Sequence, residues 1–191
     1  ELGRGFVDDL LQADTSNLAS ALIGGVIFNL SNILLSASVS IAGMSVAFPL
    51  GVGLALVLGV FINYFTAPQG SPVFLFLGVL LVIVAIVFNA WAYKNMGKDG
   101  EQQKTKGIVI AIVAGIMMSF FFRFIASSMD LQNFECPEVG KMTPYTAMVI
   151  FSIGIFTSNF IFNTAAMRRP FVGTPTSYED YFAGSFRLHA V

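Results

Sequence analysis

Residues 15–93 read TSNLASALIGGVIFNLSNILLSASVSIAGMSVAFPLGVGLALVLGVFINYFTAPQGSPVFLFLGVLLVIVAIVFNAWAY and contain no Asp, Glu, Lys, Arg or His. This charge-free run of 79 residues decides the fold. A soluble domain would have to hide nearly all of it, whereas a bilayer crossing consumes about 20 apolar residues. The run therefore reads as three crossings with short connections: Gly43 permits a very tight first turn, and 66–72 (TAPQGSP) is a cluster of turn formers. Outward from it, 107–128 is apolar except for Arg123, and 142–167 carries no charge. Five spans are predicted, at about 18–41, 44–65, 73–93, 107–128 and 145–167. The expected fold class is all-α, a polytopic transmembrane helical bundle forming a single transmembrane domain over 1–191.

Composition points the same way and removes several function classes. Only 11% of residues are charged, against about a quarter in a soluble domain. A net charge of -1 without a basic stripe gives no nucleic-acid footprint. One cysteine, Cys136, and one histidine, His189, make neither an internal disulfide nor a metal-ligand set, so no cofactor is expected. His189 reads as incidental, in a loop or at a helix start. No predicted span holds Asp, Glu or His, which argues against an intramembrane hydrolase because acid/base chemistry needs titratable groups. The chain is not expected to be an enzyme. Its expected surroundings are membrane lipid, with the cell membrane as the location of a multi-pass protein.

Lys and Arg near span ends stay cytoplasmic. Lys94, Lys98, Lys104 and Lys106 share one loop, and Arg168 and Arg169 fall on the same side two crossings later. The opposite side holds Arg4, Lys141 and the acids Glu1, Asp8, Asp9, Asp14, Asp130, Glu135 and Glu138. The first 17 residues are then outside, and a cytoplasmic N-terminus requires an odd number of earlier spans, one being simplest. With Glu1 in place of Met, the chain is expected to be an internal stretch of a longer protein.

Polar side chains in hydrocarbon are costly unless partnered, so their placement marks candidate sites. Gly25, Asn29, Asn32, Ser36 and Ser40 recur at spacings of three and four, on one face of the first span. Ser152, Asn159 and Asn163 form a second stripe in the fifth span, with Gly154, Thr157, Ser158 and Thr164 nearby. Such stripes either pack helix on helix or line a solute path. Pro49, inside the second span, is expected to kink or break it, as in transporter gates, or to be a static kink. Arg123 either snorkels to the outer headgroups or faces the bundle to hold an acid or a substrate carbonyl. The candidate solute-binding residues are thus Asn29, Asn32, Ser36, Pro49, Asn159, Asn163 and Arg123, in a cavity to which the first, second and fifth spans contribute. A lining of Asn, Ser, Thr and Gly without fixed charge suits a neutral hydrogen-bonding solute such as a ureide, nucleobase or sugar; any proton-coupling carboxylate would lie elsewhere.

Three strings, 24–35 (GGVIFNLSNILL), 41–49 (IAGMSVAFP) and 158–164 (SNFIFNT), together with 170–173 (PFVG) and 178–182 (YEDYF) leading toward a further helix, resemble the ureide permease family. That family sits in the drug/metabolite transporter superfamily, with bacterial glucose, ribose and rhamnose carriers among its relatives. The resemblance implies about ten helices in two inverted five-helix repeats, this chain holding the second to the sixth. It implies a permease working by alternating access. Arg123 matches no motif of the family. The alternatives are a sugar carrier of the same fold and a non-transporting structural or signalling subunit whose stripes only hold helices together.

Overall fold

The computed structural model describes residues 4–66, 68, 70–94 and 101–184. His189, Glu1 and Lys98 lie outside the described residues. The described residues form seven helices in the order α1 (Phe6–Gln12), α2 (Thr15–Ala42), α3 (Met44–Thr66), α4 (Pro72–Lys94), α5 (Glu101–Ser127), α6 (Pro144–Arg168) and α7 (Tyr178–Ala183). Five of them, α2 to α6, are long and apolar enough to cross a membrane. Among the described residues the fold is all-α, with an isolated bridge between Met129 and Met142 outside the helices.

Local chemistry explains the joints. Gly43 separates α2 from α3 by itself, with φ +84° and ψ 156°, a region essentially closed to residues with a Cβ. Its N–H donates to Val39 O at 2.9 Å and its carbonyl accepts from Ala47 N at 3.0 Å, so it ends one helix and starts the next. Pro144 opens α6 at a position needing no donor, and the Thr143 hydroxyl caps that helix from Thr146 N. The α5 backbone is already helical from Glu101, inside the segment expected as loop. Lys, Gln and Glu are good helix formers, and an established apolar helix extends readily into them.

The helices are arranged around α2. α5 packs along α2 and α3, α6 packs on α2, and α4 leans on α3 alone. Only 6% of the crossing window of α4 is buried, against 28–33% in the other four. Two apolar clusters hold the centre. Ala21, Ile125, Met142, Ala147 and Phe151 join α2, α5 and α6, while Leu35, Ala47 and Ala114 join α2, α3 and α5. Small residues set the distances: a Cβ on Gly115 of α5 would lie 2.5 Å from Gly51 O of α3. In lipid such close backbone packing, rather than hydrophobic exclusion, draws helices together.

One end of the bundle is acidic and closed. The loop between α5 and α6 is knitted to residues 4–17: Asp14 N donates to Gly140 O at 3.0 Å, Gly140 N to Gln12 Oε1 at 2.7 Å, and Asn17 Nδ2 to Gly140 O at 2.8 Å. Gly140 has φ +89°, and a Cβ there would fall 2.4 Å from Asp14 Oδ2, so no larger residue fits this crossing. The other end carries Lys106, Arg168 and Arg169.

Candidate functional site

The two polar stripes read from the sequence come from neighbouring helices, and their shared seam is the candidate site. α2 and α6 meet through Gly25 with Gly154 and Asn29 with Ser158, pairs sharing one offset of 129 residues. A constant offset means that the helices run parallel. A Cβ on Gly25 would lie 2.1 Å from Phe151 O, and one on Gly154 would lie 2.3 Å from Leu22 O. The backbones are in contact there. Asn29, only 7% exposed, donates from Nδ2 to Ser158 Oγ at 2.9 Å and to Ile155 O at 3.3 Å.

Toward the cation-rich end the seam opens. A cavity of about 350 Å³ separates Ser36 and Ser40 of α2 from Asn163 and Ala166 of α6, and Pro170, Phe171 and Val172 form its floor. On the other flank of α6 lies a cleft of about 630 Å³, lined by Asn159, Phe160, Asn163, Thr176, Tyr178 and Asp180 among others. Asn163 borders both spaces. Its Nδ2 donates to Asn159 Oδ1 at 3.0 Å. Each carboxamide has one NH2 and one C=O. Whichever way round the pair is bonded, one NH2 and one C=O are left for a ligand.

Segment 170–184 is held under these spaces. Thr176 N donates to Met167 O at 3.1 Å, the Tyr178 and Thr164 hydroxyls share a hydrogen bond of 2.6 Å, and Lys106 Nζ reaches Phe171 O at 3.4 Å. α7 begins in a capping box, in which the Ser177 hydroxyl accepts from Asp180 N while Asp180 Oδ2 accepts from Ser177 N and Oγ at 2.9 and 2.7 Å. The Ser177 hydroxyl, then its N–H, hold the Asp180 carboxyl below the usual carboxylate range, against a small opposing effect of desolvation.

At the acidic end the corresponding polar groups are consumed by the fold. Asp9 is fully buried at the N-terminus of α6, where its Oδ2 accepts from Thr143 N and Thr143 Oγ1, both at 2.8 Å. Arg4 Nε lies 3.4 Å from its Oδ1. Burial pushes the Asp9 carboxyl up, but the hydrogen bonds from Thr146 and Thr143 and the Arg4 charge together bring it below its ordinary value. A carboxylate at a helix N-terminus is further favoured by the helix dipole.

Four of the seven candidate residues line neither of these spaces. Asn29 is sealed in the helix contact. Asn32 is half-buried and donates to Phe28 O of its own helix at 2.8 Å. Pro49 does not break α3, which is continuous from Met44 to Thr66. It lies in the first turns of that helix, where the one carbonyl it orphans belongs to the exposed Ser45. α3 packs on α5 and α2 and adds nothing to the α2–α6 cavity. Arg123 lies apart from the stripes: its Nη1 donates to Thr66 Oγ1 at 2.6 Å, clamping α5 to the end of α3 while remaining exposed. At the cation-rich end Ser36 and Asn163 share the cavity between α2 and α6, and Asn159 joins Asn163 in the cleft on the other flank of α6.

Two curated proteins align with this chain over 90% of its length. They are Ureide permease 1 and Ureide permease 3 of Arabidopsis thaliana, at 23% identity over 226 residues and 22% over 200. The chain is similar to ureide permeases. It covers 58% and 57% of these two relatives. No family model matches the chain, and no solved structure matches it. Two of the strings that carry the likeness, 24–35 and 158–164, fall on facing stretches of α2 and α6, and the third, 41–49, forms the Gly43 turn.

Sequence reasoning placed Tyr178 and Asp180 in a string leading toward a further helix but gave them, and Thr176, no role in a site. A signal was present, since Ser177 followed three residues later by Asp180 is a helix-start pattern, and it would have folded this segment into a helix at the mouth of the cleft. Nothing local announced the burial of Asp9, whose partner Thr143 lies 134 residues away.

Proposed function

We propose that this bundle belongs to a secondary carrier that moves a small uncharged polar solute, a ureide or nucleobase, across the cell membrane by alternating access, and that it is not an enzyme. What carries the reading is the likeness to ureide permeases over nine-tenths of the chain. The seam adds support. It is shut by glycine contacts in its acidic half and open beside Ser36 and Asn163 in the other, as a carrier open to one side requires. The free NH2 and C=O of the asparagine pair complement the adjacent C=O and N–H that every ureide and uracil-type base carries. The cation-rich end is the cytoplasmic one on this proposal. The chain contributes five helices to a bundle of about ten, built from inverted repeats.

The test is uptake of labelled allantoin and uracil by the full-length protein in liposomes. Saturable uptake, competed by ureides and nucleobases but not by glucose, is expected. Competition by glucose would transfer the assignment to sugars. Absence of saturable uptake for all three classes would return the stripes to helix packing.

A further inference from the structure

Among the described residues that line the cleft on the flank of α6 facing α7, Asp180 is the one charged side chain. Two cations of this end point elsewhere. Arg168 is five residues beyond Asn163, which at about 100° per residue turns it some 140° away around α6, and Lys106 is engaged with Phe171 O. Asp180 spends Oδ2 on the Ser177 cap, and its Oδ1 has no hydrogen bond among the described residues. Asp180 is exposed and charged at neutral pH, and the capping bonds hold its carboxyl further below the usual range. The rest of the described lining is neutral, and includes Asn159, Asn163, Thr176 and Tyr178 over the ring of Phe160.

We propose that Asp180 is the charge filter of this cleft, admitting neutral or cationic solutes that present N–H groups and turning away analogues of the same shape that carry a carboxylate. This rests on the carrier reading above. The Asn159–Asn163 pair then reads the amide edge of the solute, Phe160 offers a face for a flat ring, and Asp180 Oδ1 accepts a further N–H. A neutral carboxamide in place of Asp180 would still accept that hydrogen bond but would no longer repel an anion.

Uracil and its carboxylated analogue orotate test the idea, because they share a ring and differ in charge. In uptake of labelled uracil by the full-length protein in liposomes, orotate should compete about tenfold more weakly than unlabelled uracil, the scale of two like charges a few ångströms apart in a partly hydrated cleft. Asp180→Asn should bring the two competitors within about twofold, while Asp180→Glu and Ser177→Ala keep the wild-type ratio. Wild-type discrimination should also shrink as salt rises from about 0.02 M to about 0.5 M, since screening shortens the reach of the charge. This second readout needs no variant to fold. An unchanged ratio in Asp180→Asn, a collapsed ratio in Ser177→Ala, or salt-independent discrimination overturns the filter while leaving the carrier intact. Absence of saturable uracil uptake in the wild type overturns the carrier reading and the filter with it.

Discussion

The two halves of the α2–α6 seam are built from similar residue types and do opposite things. Near the acidic end, Gly25, Gly154, Asn29 and Ser158 bring two backbones into contact and satisfy their polar groups across the joint. Near the cation-rich end, Ser36, Ser40, Asn159 and Asn163 face open space. Glycine makes the difference. Where both helices lack a Cβ the axes close and the asparagine becomes structural; where alanine and serine stand instead the helices part and the asparagine stays available to a ligand. An intramembrane polar residue is thus assigned by the small residues one turn away as much as by its own chemistry.

The comparison of the two ends can be broken most completely by topology. A cysteine at Gln102, near the start of α5, should be labelled from the cytoplasmic side only, and the exposed native Cys136 from the opposite side only. Labelling of both from one side would remove α5 as a crossing helix. The closed half comes next. Gly25→Val places side-chain carbons where Phe151 O now sits, and overpacking of this kind costs about 1 to 3 kcal/mol or more. Thermal unfolding in detergent should show a large loss for this variant and a negligible one for Gly78→Val, whose site on α4 is open.

The division of labour along the seam is sharpened by leucine substitutions. Ser36→Leu and Asn163→Leu should reduce uptake by about one to two orders of magnitude with folding intact, since an unpaired polar group on a bound solute costs about 1 to 3 kcal/mol. Asn29→Leu should do the reverse, keeping uptake kinetics near wild type while losing only about 0.6 kcal/mol of stability, the mean worth of an interhelical hydrogen bond in a membrane. Abolished uptake in a well-folded Asn29→Leu protein would put the solute in the closed half and refute the assignment.

The acidic end supplies a smaller, pH-dependent effect. The carboxyl of Asp9 titrates below its ordinary value when folded, so its stabilising contribution is complete above the unfolded pKa of about 3.9 and disappears as pH falls through the folded pKa. Melting curves from neutral pH to about pH 3 should fall with acid in the wild type and flatten in Asp9→Asn. Equal slopes would show that the Arg4–Asp9–Thr143 contact adds nothing to the closure. Smallest of all is Arg123→Gln. An exposed clamp of this type contributes at most about 1 kcal/mol, so stability should shift slightly and uptake should not change; a large loss of uptake would restore Arg123 to the solute path.

The sequence alone determined that α2 to α6 are helices of crossing length, because 79 residues without a charge need three crossings and the apolar blocks 107–128 and 142–167 supply two more. It also determined that Gly43 reverses the chain and that two polar stripes exist, since helical periodicity is a local property. Only the tertiary structure decided what the stripes do. Asn29 and Asn163 look alike in sequence; one lies against Ser158 and the other borders two cavities. The difference depends on which residues of a helix more than a hundred positions away stand opposite, and on whether those residues are glycine. For the same reason Pro49 looked like a gate, and Arg123 a possible ligand, until their neighbours were known. Asp180, in a short exposed helix beyond the last span, belonged to a family-like string but had no site role until the fold brought it beside Asn159 and Asn163.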